Sequence, residues 1–236
     1  EGVAAATPGQ AATAGEVVLV CVGNDDDLRS VVFGPEGILS GMSVGSVLVD
    51  HTTASAEVAR EIAAAAAQQG VGFVDAPVSG GQAGAETGQL SVMCGGSEET
   101  FASVETILEV YAKAVNLIGP VGAGQTTKMV NQICIAGLIQ GLSEALDFGR
   151  RADLDMDKVL AAISQGASGS WQMSNRSSTM LARDFDHGFA LDWMRKDLGI
   201  VFDEAERIGA SLPITAMVDQ FYARLQREGH GRWDTS

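Results

Sequence analysis

Apolar, β-branched runs recur through the first half of the chain, and stretches with helical spacing separate them. The runs are Val17 to Val22, Val47 to Val49, Val71 to Val74, Leu90 to Met93 and Val115 to Ile118. Runs this continuous predict strands buried on both faces. Between them, Asp25 to Val32 reads as a short helix. Ser55 reads as the N-cap, with Glu57 in the first turn, of an alanine-rich helix over Val58 to Gln69 that Gly70 closes. Ser97, followed by Glu98 and Glu99, caps a third helix ending near Tyr111. Such alternation predicts a largely parallel sheet covered on both faces.

After Pro120 the strands stop. Gly122 to Ala152 reads as one long helix, whose run from Ile133 to Leu146 is too apolar to lie on a surface. Asp155 caps a helix over Met156 to Gln165, another runs around Ser170 to Ala182, and Asp192 to Ile208 follows. Pro213 opens a last helix reaching Glu228. The expected division is therefore an α/β domain over 1–120 and an all-α domain over 121–236.

With 236 residues and 46% hydrophobic content, the chain can hold one large domain or two modest ones. A net charge of −15 argues against nucleic acid or an anionic membrane as partner, yet leaves room for a local cationic site. The three cysteines, Cys21, Cys94 and Cys134, form no C-x-x-C pair and each sits in an apolar run. They are expected to be buried thiols of a reducing cytoplasm. His51, His187 and His230 lack metal-ligand spacing, so no metal site is expected. Polar residues interrupt every apolar stretch well short of a membrane span, and no basic, apolar leader opens the sequence.

Two segments carry candidate chemistry. In Gly122-Ala-Gly-Gln-Thr-Thr-Lys128-Met-Val-Asn131-Gln132 a glycine-flexed entry places Lys128 in the first turns of the long helix. Helical spacing puts Asn131 and Gln132 on the lysine's face. Alone, such a lysine more often snorkels its ammonium out of the helix start. The second segment, Asp75-Ala-Pro-Val-Ser79-Gly80-Gly81, ends a β-rich run in a bend. Its glycines free backbone N–H groups to face an anion, and its serine adds a hydroxyl donor. Alone it would be an ordinary loop.

Together, and in this order with Asp50-His-Thr-Thr53, Ser168-Gly-Ser-Trp171 and Phe189-Ala-Leu-Asp-Trp-Met-Arg-Lys196-Asp197-Leu198, these segments resemble the β-hydroxyacid dehydrogenase family. That family includes 3-hydroxyisobutyrate dehydrogenase and tartronate semialdehyde reductase. The resemblance implies hydride transfer between NAD or NADP and a short, carboxylate-bearing 3-hydroxy acid. Lys128 matches the catalytic lysine, a general acid/base whose pKa burial would lower. Ser79, Gly80 and Gly81 match the carboxylate-binding turn. Asn131 matches an amide that holds the substrate or orients the lysine. Gln132 stands where some members have Asn, so the pocket is expected to favour an acid other than 3-hydroxyisobutyrate.

On the cofactor side, Lys196 matches the lysine of the family's Lys-Asp-Leu segment, with pairing to Asp192 at i−4 as the structural alternative. Thr53 matches the threonine near the nicotinamide ribose. Val22 and Gly23 stand in place of the family's Leu-Pro at a strand end. Trp171 and Trp193 read as core or dimer contacts rather than pocket walls. The implied fold is an incomplete Rossmann-like doubly wound sheet followed by the all-α domain. No G-x-G-x-x-G is present, and Glu1 falls in what resembles the family's third βα segment. The pyrophosphate turn and the residue reading the ribose 2′ position are expected to precede it in the natural protein, the alternative being a genuine truncation, and NAD against NADP stays open. The family also implies a homodimer or homotetramer, in keeping with apolar residues on more than one face of the long helix. A non-catalytic oligomerisation module and an imine reductase are the competing functions, and retention of Lys128 counts against both. A P-loop phosphotransferase is excluded, since no G-x-x-x-x-G-K-[ST] occurs.

Overall fold

The computed structural model describes residues 2–13 and 15–236, and it divides into two compact units, Glu1–Met129 and Val130–Ser236. The division falls inside the long helix, and each unit is described by itself.

In the first unit, β1 (Val17–Val20), β2 (Val47–Asp50) and β3 (Gly72–Asp75) run parallel in that order, with Val17 beside Val47 and Val47 beside Gly72. Alternation along these strands builds two cores, because successive side chains leave a strand on opposite faces. Leu48 and Phe73 join α1 (Pro8–Ala12), α2 (Asp25–Phe33), α3 (Ile38–Gly41) and α4 (Ala56–Gln68) on one face. Val47, Val49 and Val74 join α6 (Glu98–Leu108) on the other. The expected cover on both faces is thus formed around β2 and β3. At the open side of β1 it thins, and Leu19 is exposed.

The remaining strands are β4 (Val78–Ser79), β5 (Leu90–Gly95) and β6 (Ala112–Gly119). Three of the five pairings are parallel, β1–β2, β2–β3 and β5–β6. The other two, β3–β5 and β4–β5, are antiparallel. A sheet read as largely parallel therefore reverses once. No long helical crossover separates β3 from β5; the chain turns through β4 and the six-residue α5 (Gly81–Glu86), and β5 returns antiparallel to β3.

The second unit is helical. The helix α7 (Ala123–Arg151) contributes Ala136 to a core with Leu191, Met194 and Leu198 of α10 (Leu191–Ile208) and Val218 and Tyr222 of α11 (Pro213–Arg227). Further along, its Leu142 and Leu146 pack with Met173 and Met180 of α9 (Trp171–Ala182) and with partly buried residues of α8 (Met156–Ile163).

Several expectations need correction. The apolar run of α7 is not wholly buried: Leu138 is 47% exposed, and Val130 and Phe148 on either side of the run are exposed too, because a helix rotates about 100° per residue and one face points away from α8–α11. Of the cysteines, Cys94 is buried, whereas Cys21 and Cys134 are exposed. Cys21 lies just past the end of β1, and Cys134 follows Val130 by one helical turn on the open face of α7. Trp171 and Trp193 are largely exposed, so neither is core. Among the described residues, no helix is long and apolar enough to cross a membrane, and no His, Cys, Asp and Glu cluster could hold a metal ion.

Candidate active site

Asp75 joins the two chemically promising segments in the first unit. It ends β3, is fully buried, and its Oδ1 and Oδ2 accept from the N–H groups of Gly122 (2.7 Å) and Gln125 (2.9 Å). Those donors are among the first N–H groups of α7, which have no partner within the helix, so a carboxylate from β3 caps the helix that carries Lys128. Close approach demands glycine at 124, where a Cβ would run into Met93 O and Asp75 O. Burial pushes the Asp75 carboxyl up to about 6, against the pull of these backbone donors.

Gln125 extends the network. Fully buried, it accepts from Ala54 N–H (3.1 Å) and donates to Thr52 O (2.7 Å), fixing the loop after β2. Thr52 Oγ1 accepts from Val22 N–H (3.1 Å), tying the ends of β1 and β2 together. Val22, Gly23 and Thr53 are half-buried at these adjoining C-terminal strand ends. Ligands of open α/β sheets bind at such ends.

Lys128 is only 7% exposed, and its Nζ donates to Val78 O at 2.9 Å. Val78 immediately precedes Ser79, so the ammonium stands against the proposed carboxylate turn. In that turn Gly80 and Gly81 have φ of +133° and +60°, conformations that side chains rarely adopt. Both glycines are exposed and Ser79 is half-buried, as an anion-receiving bend requires.

In the second unit, Asn131 is half-buried and Gln132 is buried, with Asn131 Nδ2 donating to Gln132 Oε1 at 2.8 Å. Lys196 pairs with the adjacent Asp197 Oδ1 at 2.8 Å, and Asp192 Oδ1 accepts from Gln226 Nε2. Sequence reading passed over Asp75, Gln125 and Asp197 as functional positions. A carboxylate inside an apolar context is the signal that marks Asp75, whereas Asp197 follows Arg195 and Lys196 and carries no such signal.

Asp50, at the end of β2, gives a pH-dependent prediction. Burial drives its carboxyl up to about 7, Asp75 and Asp25 add to the rise, and hydrogen bonds from Thr52 oppose it. The folded pKa exceeds the unfolded one, so folding favours the protonated form. Stability from this group is greatest below about 4, falls as pH rises, and is constant above about 7. Urea unfolding should lose on the order of 2 kcal/mol from this group between pH 5 and 8. Asp50→Asn should remove that part of the slope, and parallel pH profiles for the two proteins would refute the assignment.

Comparison with known proteins places this chain in a class. Residues 1–119 match the NAD-binding domain of 6-phosphogluconate dehydrogenase, and residues 122–236 match the NAD-binding domain of NADP-dependent 3-hydroxyisobutyrate dehydrogenase. An oxidoreductase of Shewanella frigidimarina is 58% identical over 235 residues, spanning 100% of this chain and 81% of the relative. The Arabidopsis thaliana protein named probable 3-hydroxyisobutyrate dehydrogenase-like 1, mitochondrial, is 42% identical across 95% of this chain and 67% of its own. The crystal structure of 3-hydroxyisobutyrate dehydrogenase from Salmonella typhimurium matches with a TM-score of 0.86 at 31% identity, over 98% of this chain and 81% of that one. Fold and relatives together define an NAD(P)-dependent hydroxyacid dehydrogenase, with NAD or NADP as cofactor. The chain belongs to the β-hydroxyacid dehydrogenase family.

Proposed function

We propose that the protein interconverts a short 3-hydroxy acid and its semialdehyde, of the 3-hydroxyisobutyrate or tartronate semialdehyde type, with Lys128 as general acid/base. The bound nicotinamide supplies the hydride acceptor or donor. In oxidation Lys128 Nζ takes the hydroxyl proton; in reduction it returns that proton to the developing alkoxide. Ser79, Gly80 and Gly81 hold the substrate carboxylate, with Asn131 and Gln132 as further substrate contacts. Val22, Gly23, Thr53 and Lys196 serve the cofactor.

The observation that carries this reading is the 2.9 Å bond from Lys128 Nζ to Val78 O. It brings a buried cation to the backbone of the anion-receiving turn, so proton transfer and carboxylate binding fall at neighbouring points. The open stripe of α7, with Val130, Leu138 and Phe148, supports assembly as a homodimer or homotetramer. The acidic net charge fits a cytoplasmic enzyme with no nucleic-acid partner.

A panel of 3-hydroxy acids, run with NAD and with NADP on the full-length natural protein, tests the reaction. Turnover of no member with either cofactor would refute it. Within that panel, Ser79→Ala should raise KM for carboxylate substrates about tenfold, with kcat little changed, because the turn holds ground and transition states alike. Unchanged discrimination between carboxylate and carboxamide analogues would remove Ser79–Gly81 from the carboxylate role.

A further inference from the structure

Within the helical unit, three side chains form a directional line. Gln132 of α7 is 1% exposed and Asp197 of α10 is 3% exposed. Gln132 Nε2 donates to Asp197 Oδ2 at 2.6 Å and lies 3.7 Å from Met194 Sδ. Gln132 Oε1 accepts from Asn131 Nδ2 at 2.8 Å. The second oxygen of Asp197 meets the Lys196 ammonium at 2.8 Å.

The ends of an amide differ, one donating and one accepting, whereas an ionised carboxylate only accepts. Turned the other way, Gln132 would set its oxygen against Asp197 Oδ2, two acceptors in contact inside a buried site, which is costly. The carboxylate therefore fixes Gln132 with its nitrogen inward and its oxygen toward Asn131. That oxygen in turn draws the Asn131 nitrogen, and Asn131 Oδ1 becomes the end turned away from the pair. The chain Asp197–Gln132–Asn131 passes one polarity from a buried charge to a half-buried amide.

We propose that Asp197 is a positioning residue: acting through Gln132, it sets the Asn131 amide so that Oδ1, an acceptor, is offered to the ligand. The group that Asn131 Oδ1 meets is then a donor, the hydroxyl of the 3-hydroxy acid or an ammonium, and not the substrate carboxylate. This rests on the reading of Asn131 as a substrate contact. Within that reading it assigns the carboxylate to the Ser79–Gly81 turn alone. The line also explains why a glutamine serves at 132: its extra methylene reaches Asp197 while leaving the oxygen for Asn131.

Reversing the line tests it. Asn131→Asp gives a side chain that cannot donate to Gln132 Oε1, so two acceptors meet. Asp197→Asn removes the instruction at the other end but supplies an amide donor. Combined, the two changes let Gln132 turn over, accepting from Asn at 197 and donating to Asp at 131. In the full-length natural protein each single variant should lower kcat/KM for the hydroxy acid by about 10- to 100-fold. The double variant should recover at least tenfold over the product of the two losses. Loss of the Lys196 contact is common to Asp197→Asn and the double variant, and so cancels in the cycle.

A merely structural Asp197 gives no such rescue. Losses that multiply would overturn the proposal, and so would coupling seen in urea unfolding but absent from kcat/KM. If the wild-type protein turns over no 3-hydroxy acid, the functional reading fails and takes the substrate-facing role of Asn131 with it. The same cycle read in unfolding then still reports whether Asp197 orients the amides, so the two failures are separable.

Discussion

Lys128→Ala should lower turnover by ~10²–10⁴-fold in the full-length natural protein, the range expected on removing a general acid/base. The side chain is buried, and its ammonium donates to a carbonyl, Val78 O, in a half-buried turn. Loss of a hydrogen bond from a charged donor should cost about 1.5–3 kcal/mol of stability. Lys128→Arg separates charge from proton transfer. A guanidinium stays protonated across the working range, so electrostatic attraction is kept while the base is lost. Turnover should remain low in this variant, and the pH dependence of kcat/KM should lose the limb that the lysine supplies. Near-parental turnover in either variant, with the fold intact by circular dichroism, would take the proton-carrying role away from Lys128.

Asp75→Ala should destabilise the first unit by about 2–4 kcal/mol in urea unfolding, the largest effect on folding expected for a single site here. The reason is specific. Gly122 and Gln125 donate to its two oxygens in a buried site, and no other acceptor of those N–H groups is close by virtue of helix geometry alone. Each orphaned donor costs roughly 1–3 kcal/mol, offset in part by relief of burying a charge. That offset is visible in the raised pKa of about 6. Because the folded pKa lies above the ordinary 3.8, wild-type stability from this group grows as pH falls from about 7 toward 4. The variant's deficit should accordingly be larger at pH 5 than at pH 8. Asp75→Asn should cost less than alanine, since one oxygen remains, yet more than nothing, since its Nδ2 then faces an N–H. Activity should drop as well, because the same carboxylate holds the start of the helix that bears Lys128. A deficit below about 0.5 kcal/mol, under the usual surface value, would show that water or relaxation satisfies the helix start instead.

Much of the architecture is local and could be read from the chain. Ser55, Ser97, Asp155 and Ser170 each accept from the N–H three residues on, as capping residues before helices do, and the helices start where these residues place them. The apolar runs at Val47 and Val71 became the two best-buried strands, since one run there serves both faces of the sheet. Pattern reading is weak where an element is too short to show a period. It passed over α1, α3 and α5, of five, four and six residues, and over the two-residue strand β4. The reversal of β5 against β3 is marked by no feature of β5 itself.

The candidate residues divide along the same line. Lys128, Ser79, Gly80 and Gly81 could be named because their chemistry is written in residue type and near spacing. What holds them could not. Asp75 meets Gly122 and Gln125 some fifty positions away, and Gln132 meets Asp197 at a separation of 65. Local spacing fixes which side chains a helix can present, but burial depends on what packs against it. Only the folded chain decides which face of α7 is covered, which cysteine is exposed, and which buried carboxylate finds its donors. Those outcomes are set by contacts between distant segments, whose loop-closure entropy is offset only when the whole core forms.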